Sequence, residues 1–418
     1  MRTYVALSIA VSIFLVPWLA DQFPAQREMF LSAIFSTADQ VASVIGRNPR
    51  TIAELQAKYN QENPRTQIPK VRILIVPGHE PNYGGAEFGM IKERDMTVEL
   101  ANYLATFTRS NSKYDVIVAR DGNTWNPPFE AYFKNSWNEI VAWQKENKQA
   151  YLHNVARSGP LSTPKVYHNA APDNVAFRLY GLTKWSNENA VDIVLHIHFN
   201  DYPGHGRVAG EYSGISIYTP EKQYANGTTT RAVSEAVFNR LKKYNPVSDL
   251  PGESEGIVEE RELIAIGAND TADAASLLIE YGYIYETQFQ DSDTRTMALK
   301  DLAFQTYLGL EDFFNPTGAK SLAAVYDTLI LPYTWSPKVT IDTLNEKDAY
   351  ALQTALVREG VYPPANKTKN DCPRTGKVGG CTRSAVESFQ KKYGIKGENG
   401  LGIQTVQKLN QLYSVGVI

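Results

Sequence analysis

Five short apolar runs punctuate the chain before residue 281: Val71–Val76, Tyr114–Ala119, Val191–His198, Gly214–Tyr218 and Ala275–Glu280. Turn residues or polar stretches bound them. Runs of this length suit strands buried in an α/β sheet. Between them, Glu93–Phe107, Thr230–Leu241 and Thr296–Phe314 carry apolar residues three and four positions apart. That is helical spacing. The alternation predicts an α/β domain over residues 70–316, with a mixed central sheet and helices on both faces. Residues 122–172 are aromatic and rich in Asn and Pro. They read as an insertion in that domain rather than a domain of their own.

Past Thr340 the pattern changes. Asp348–Leu356, Arg383–Gln390 and Ile403–Leu412 have the spacing of amphipathic helices, with Cys372 and Cys381 in the loop between the first two. This predicts a small all-α domain over 341–418, of a size at which a disulfide is a useful staple. Residues 317–340 read as a linker. At the other end, Arg2 precedes an uncharged apolar run from Tyr4 to Ala20. Residues 1–25 are therefore expected to be a signal peptide or a membrane anchor. Helically spaced Phe30, Ala33, Ile34, Val41 and Ile45 and a proline-bearing stretch follow, so 26–69 reads as a helical stalk and linker. Export makes a Cys372–Cys381 disulfide the natural expectation.

Composition changes this picture little. A 418-residue chain with 43% hydrophobic and 21% charged residues is that of a folded soluble protein of more than one unit. A formal net charge of -3 gives no support to a nucleic-acid partner.

Candidate chemistry collects at strand ends, where open α/β sheets build their sites. Three of six histidines are there: His79, His196 and His198. A catalytic zinc takes three protein ligands and keeps one position open. His79 and His198 supply two nitrogens. Glu93, opening the first predicted helix, can point back at them, but spacing alone leaves Glu80, Glu87 and Glu99 available as well. Hydrolysis also needs a group to move a proton. Glu280 closes an apolar strand, where a carboxylate is costly unless paired or used. Alternation along the strand puts His196 on the side of His198. It is either a supporting or substrate contact, or a hydrogen-bonded histidine beside the site. His153, His168 and His205 stay unassigned. Trp125, Phe129 and Tyr132 could stack on sugar rings, though packing of the insertion is the stronger expectation.

Val76-Pro-Gly-His79, Glu93-Arg-Asp95, Asp192-Ile-Val-Leu-His-Ile-His198-Phe-Asn200 and Leu278-Ile-Glu280-Tyr-Gly-Tyr283 follow one another in that order. They resemble the Asp-Pro-Gly-His, Glu-Lys-Asp, Asp-x-x-x-Ser-Ile-His-x-Asn and Leu-Val-Glu-Thr-Gly-Phe motifs of the type 3 zinc-dependent N-acetylmuramoyl-L-alanine amidases. The resemblance spans Val71 to Asn315. It implies zinc bound by His79, Glu93 and His198, and Glu280 as catalytic acid/base; Asn200, within the third motif, is expected to be a supporting or substrate residue. The implied partner is peptidoglycan, cut between N-acetylmuramic acid and L-alanine. Val76 for aspartate, His196 for serine and the insertion depart from the family pattern. A zinc peptidase acting on stem peptides and a non-catalytic wall-binding protein therefore stand as alternatives.

The C-terminal runs Leu352-Gln-Thr-Ala-Leu356, Cys381-Thr-Arg-Ser-Ala-Val386-Glu-Ser-Phe389-Gln390 and Gly400-Leu-Gly-Ile-Gln-Thr405-Val-Gln-Lys-Leu409 resemble a three-helix peptidoglycan-binding domain. Its loop, Gly376–Cys381, departs from the family's Asp-Gly-x-Phe-Gly. Tethering such a module to a hydrolase raises the local substrate concentration. The expected location is extracytoplasmic: secreted, wall-associated or membrane-anchored. The oligomeric state is left open by the sequence.

Overall fold

The computed structural model describes residues 48–61, 70–158, 166, 168, 170–202, 206–315 and 327–414. All but Asn48 belong to one unit, Pro49–Ile418. The expected signal or anchor and the helix around Phe30–Ile45 lie outside the described residues. Among the described residues no helix is long and apolar enough to cross a membrane.

The apolar runs form a six-stranded sheet in the order β4 (Tyr114–Val118), β1 (Val71–Pro77), β5 (Ile193–Asn200), β8 (Ala275–Tyr283), β6 (Ser216–Pro220), β7 (Ile257–Glu260). The first four are parallel; β6 runs antiparallel to β8, and β7 pairs in parallel with β6. The sheet is mixed, as the alternation of runs predicted. Strand β7 and the hairpin β2 (Glu87–Phe88) and β3 (Ile91–Lys92) are additions, too short or too polar to stand out as runs.

Alternation along each strand divides the side chains between two helical layers. Ile73, Ile75, Leu195, Ile197, Leu277 and Ile279 face α2 (Glu93–Ser110), α5 (Gly227–Tyr244) and α6 (Ser292–Phe314), joined at the edge by α1 (Ile52–Asn60). Leu74, Val76 and Val194 face α3 (Pro127–Ser158) and α4 (Asp173–Glu188). Helix α3 occupies much of the stretch expected to be an insertion. Pro127 and Pro128 fit its first turn, where the missing N–H costs nothing. A break at Ser136 (φ -113°, ψ 16°) divides it. Its aromatics are mostly packing: Phe129 and Phe133 are buried on the sheet, and the Tyr132 hydroxyl donates to Glu188 across to α4 (2.6 Å). The insertion thus supplies one of the two helices that cover this face of the sheet.

The C-terminal helices are α7 (Glu346–Arg358), α8 (Gly380–Tyr393) and α9 (Ile403–Tyr413). Asn345 caps α7 by accepting from the Asp348 N–H (2.7 Å). Leu352, Leu356, Val386, Phe389, Val406 and Leu409 are its buried core. The Cys372–Cys381 disulfide is present, with Cα atoms 6.0 Å apart. The loop it closes carries Arg374 into the α/β domain. There Nε donates to the Tyr244 carbonyl (3.0 Å), Nη2 to Asn245 Oδ1 (3.2 Å) and Nη1 back to Thr354 Oγ1 (2.8 Å). The guanidinium lies between the rings of Tyr244 and Tyr350, 4.9 and 5.0 Å from their centroids, and 3.8 Å from Asp301 Oδ2. Trp335, from the stretch read as a linker, is buried and donates to the Asp348 carbonyl (3.0 Å). The helical part is therefore docked on the α/β domain by a buried cation.

Removing one partner of a buried charge pair is far more costly than removing an exposed one. Arg374→Ala is expected to lower stability by about 2–4 kcal/mol, because Asp301 loses its cation. Arg383→Ala, whose pair with Asp342 is exposed, should cost under about 0.5 kcal/mol. Urea midpoints of the two variants check this; equal midpoints would refute it.

Candidate active site

The site forms where β1 and β5 end. Gly78 extends the ladder by donating to the Ile197 carbonyl (2.9 Å), and His79 follows in the left-handed region (φ 67°). Non-glycine residues rarely adopt that backbone, and where they do the strain often serves a site. The turn swings the His79 ring over the end of β5, 4.9 Å from the His198 ring between centroids. Glycine at 78 is required by this approach: a Cβ there would lie 2.5 Å from His198 Cε1. Glu93 opens α2 directly after the β2–β3 hairpin. Its Oε2 accepts from the Ala86 N–H (2.9 Å) and lies 2.7 Å from His79 Nε2; its Oε1 accepts from the Phe199 N–H (3.1 Å) and lies 3.1 Å from His198 Nδ1.

One ligand atom each from His79, Glu93 and His198 falls within 4.8 Å of the others. The His79 Nε2–Glu93 approach lacks hydrogen-bond geometry, and that buried nitrogen has no hydrogen-bond partner. Two imidazoles and a carboxylate converging in this way are a donor set suited to a divalent metal. The two imidazole side chains keep 27% and 17% of their surface exposed against 5% for Glu93, so the set has access to solvent. Burial by itself would push the Glu93 carboxyl up. The charge of His79, 2.7 Å away, and the hydrogen bond with His198 outweigh it and hold Glu93 well below the usual carboxylate range. Burial pushes the His198 imidazole down, toward the neutral form that binds metals.

The three other carboxylates left open by spacing are engaged elsewhere. Glu80 accepts from Trp125 Nε1 (3.0 Å) and pairs with Arg178 (3.1 Å). Glu87 pairs with Arg94 (2.7 Å), and Glu99 accepts from the Tyr103 hydroxyl (3.1 Å). None joins the donor set.

Glu280 stands across from His198 in the β5–β8 register, on the same face of the sheet. Its Oε2 is buried without a hydrogen-bond partner. Burial, with the charges of Glu93 and Glu253, pushes its carboxyl well up. His196 shares the side of His198 but is only 3% exposed, which keeps it from a substrate. It lines a small closed space with Leu182, Ser186, Val194 and Ser276, and burial pushes it down to about 3. Asn200 donates to Glu253 Oε1 (2.9 Å). His168 lies edge-on to the Tyr218 ring (5.0 Å), and His205 is outside the described residues.

Two contributors escaped the sequence reading. Arg120, 1% exposed, donates to the carbonyls of Pro77 (3.2 Å), Gly78 and Arg94 (3.0 Å). It braces the strand end that presents His79 against the start of α2. Glu253, 0% exposed, lies beside Asn200. Their only sequence signal is a charge near an apolar run, which many surface residues share.

Gly78→Ala should push His198 out of the donor set. Divalent-metal affinity is expected to fall at least about tenfold, with the fold retained. Equilibrium dialysis against zinc and a thermal melt check both halves; unchanged affinity would show that the close packing has no bearing on the site.

Fold and site together place a donor set suited to a divalent metal at the strand ends of an open α/β sheet. Residues 73–311, more than half of the chain, match the family described as N-acetylmuramoyl-L-alanine amidase. The chain belongs to that family, whose members hydrolyse an amide bond of peptidoglycan. Among solved structures it is similar to an N-acetylmuramoyl-L-alanine amidase from Clostridium difficile 630: 16% identity, 60% of this chain and 99% of that one, TM-score 0.37. It is also similar to the Ami1 amidase of Mycobacterium smegmatis: 11% identity, 60% and 100% of the two chains, TM-score 0.39. Membership rests on the family match and not on these distant likenesses. Among curated proteins, no sequence matches the chain.

Proposed function

We propose that the protein is a zinc amidase that hydrolyses the bond between N-acetylmuramic acid and L-alanine in bacterial peptidoglycan. The observation that carries this reading is the convergence of His79, Glu93 and His198 beside Glu280, inside the segment that matches the family. The unpartnered His79 nitrogen and the mixed nitrogen–oxygen donor set fit zinc. Bound there, zinc supplies a Lewis acid that acidifies water and polarises the scissile carbonyl.

The remaining work falls to the chain's own residues. Glu93 is fixed by the Ala86 and Phe199 N–H groups, so both its oxygens keep their directions. Arg120 holds the Pro77–Gly78 carbonyls, which keeps His79 in its turn. Glu280 Oε2, free of other partners, takes a proton from the attacking water and returns it to the leaving nitrogen of L-alanine. Residues 341–418 serve as a wall-binding module, docked through Arg374. Residues 1–25 act as signal or anchor, placing the enzyme outside the cytoplasm.

Purified peptidoglycan incubated with the zinc-loaded protein, followed by mass spectrometry, tests the reading. The expected products are stem peptides with a free L-alanine amine and glycan with free lactyl carboxylates. Peptides cut internally, with the lactyl amide intact, would replace the amidase by a peptidase.

A further inference from the structure

Glu253 lies in the turn between α5 and β7, where its N–H donates to the Leu250 carbonyl (2.8 Å) and its carbonyl accepts from Gly256 (2.7 Å). The side chain is completely buried. Among the described residues no cation pairs with it. Its partners are neutral donors: Asn200 Nδ2 (2.9 Å) and the Tyr218 hydroxyl on Oε1, and the Tyr283 hydroxyl (3.4 Å) on Oε2. A buried carboxyl group held only by neutral partners gains no ion pair, and an apolar residue would fill the space more cheaply. Its three hydrogen bonds show what the side chain holds together.

The three donors sit on the three strands that build one wall of the site. Asn200 follows His198 by two residues on β5. Tyr283 follows Glu280 by three on β8 and is the register partner of Asn200. Tyr218 follows Ser216 by two on β6, and Ser216 is the register partner of Glu280. Between His198 and Asn200 the β5–β8 register slips. At such an irregularity the ladder no longer fixes one strand against the next. This is the point at which His198 and Glu280 must keep their separation.

We propose that Glu253 is a positioning residue of the amidase centre. Its carboxylate ties Asn200 and Tyr283, just beyond the slip, to Tyr218, which on antiparallel β6 pairs with Leu278 before it, and so fixes Glu280 relative to His79, Glu93 and His198. The proposal rests on the reading of those four residues as the reaction centre. Glu253 touches no substrate; it acts through the strands.

Glu253→Gln in the full chain keeps the shape but turns one acceptor into a donor, which faces donors already in place. The expected result is a kcat lower by roughly 10- to 100-fold, the scale of a small misplacement at a reacting centre. KM should stay within about twofold and bound zinc should be unchanged. An unchanged kcat overturns the proposal. So does a loss shared equally by KM and accompanied by a fall in the thermal midpoint, which marks a merely structural role. Should the variant fail to fold, Tyr218→Phe removes one donor and keeps the ring; several-fold lower kcat at constant KM is then expected, and no change refutes the clamp. NMR of the Asn200 side-chain amide reads the clamp without any reaction. Slow proton exchange in the parent, lost in Glu253→Gln, supports it. Fast exchange in the parent refutes it, even where wall hydrolysis is normal. Absent hydrolysis with slow exchange would instead count against the amidase reading.

Discussion

Glu280→Gln should bind zinc like the parent and release stem peptides about a thousandfold more slowly, within the range set by loss of a proton-transferring group. The substitution keeps the size and one oxygen of the side chain but removes the group that would take and return the proton. Glu280 contributes no atom to the His79–Glu93–His198 set, so metal content should not change. Neither should the fold, because the Oε2 lost to an amide has no hydrogen-bond partner to forfeit. Rates of peptide release and zinc content per chain are the two readings. Full release by the Gln variant would remove Glu280 from the mechanism. Loss of zinc together with activity would make it part of the metal site instead.

His198→Ala carries the second large effect. It takes one imidazole from the donor set and leaves the Glu93 Oε1 with only the Phe199 N–H. Zinc affinity is expected to fall by well over the roughly 10- to 100-fold that follows loss of a ligand's supporting partner. Competition with a chromophoric chelator measures it. Chelation should silence the parent, and added zinc should restore it; the variant should stay inactive at the zinc concentration that restores the parent. Stoichiometric, tight zinc in the variant would mean that the metal sits elsewhere.

Most of the sheet could be read from the sequence because strands buried on both faces are written as continuous apolar runs. Val71–Val76 and Ala275–Glu280 became β1 and β8 with small changes at the ends. Strand β7, Ile257–Glu260, was hidden because two of its four residues are glutamates. Helix α3 was hidden for a different reason: two prolines and several asparagines marked the stretch only as an insertion, while the buried spacing of Phe129, Phe133 and Ile140 lay beneath them. At the site, His79 and His198 were legible because strand ends are where α/β sheets gather ligands. Choosing Glu93 over Glu80, Glu87 and Glu99 needed the family resemblance. In the structure those three carboxylates have separate ion pairs and hydrogen bonds, while Glu93 lies against both imidazoles. His196 shows the limit of periodicity. Alternation gives its side of the sheet correctly but not its depth, which depends on α4 packing over it. Arg120 and Glu253 were beyond reach, since their burial follows from tertiary packing and nothing near them in sequence signals it.

The most direct test of the account is anomalous diffraction at the zinc absorption edge from crystals of the zinc-loaded protein. One strong peak is expected about 2.0–2.2 Å from ligand atoms of His79, Glu93 and His198, with Glu280 facing the remaining position. A peak held by other residues, or none at this cluster in an active preparation, would contradict it.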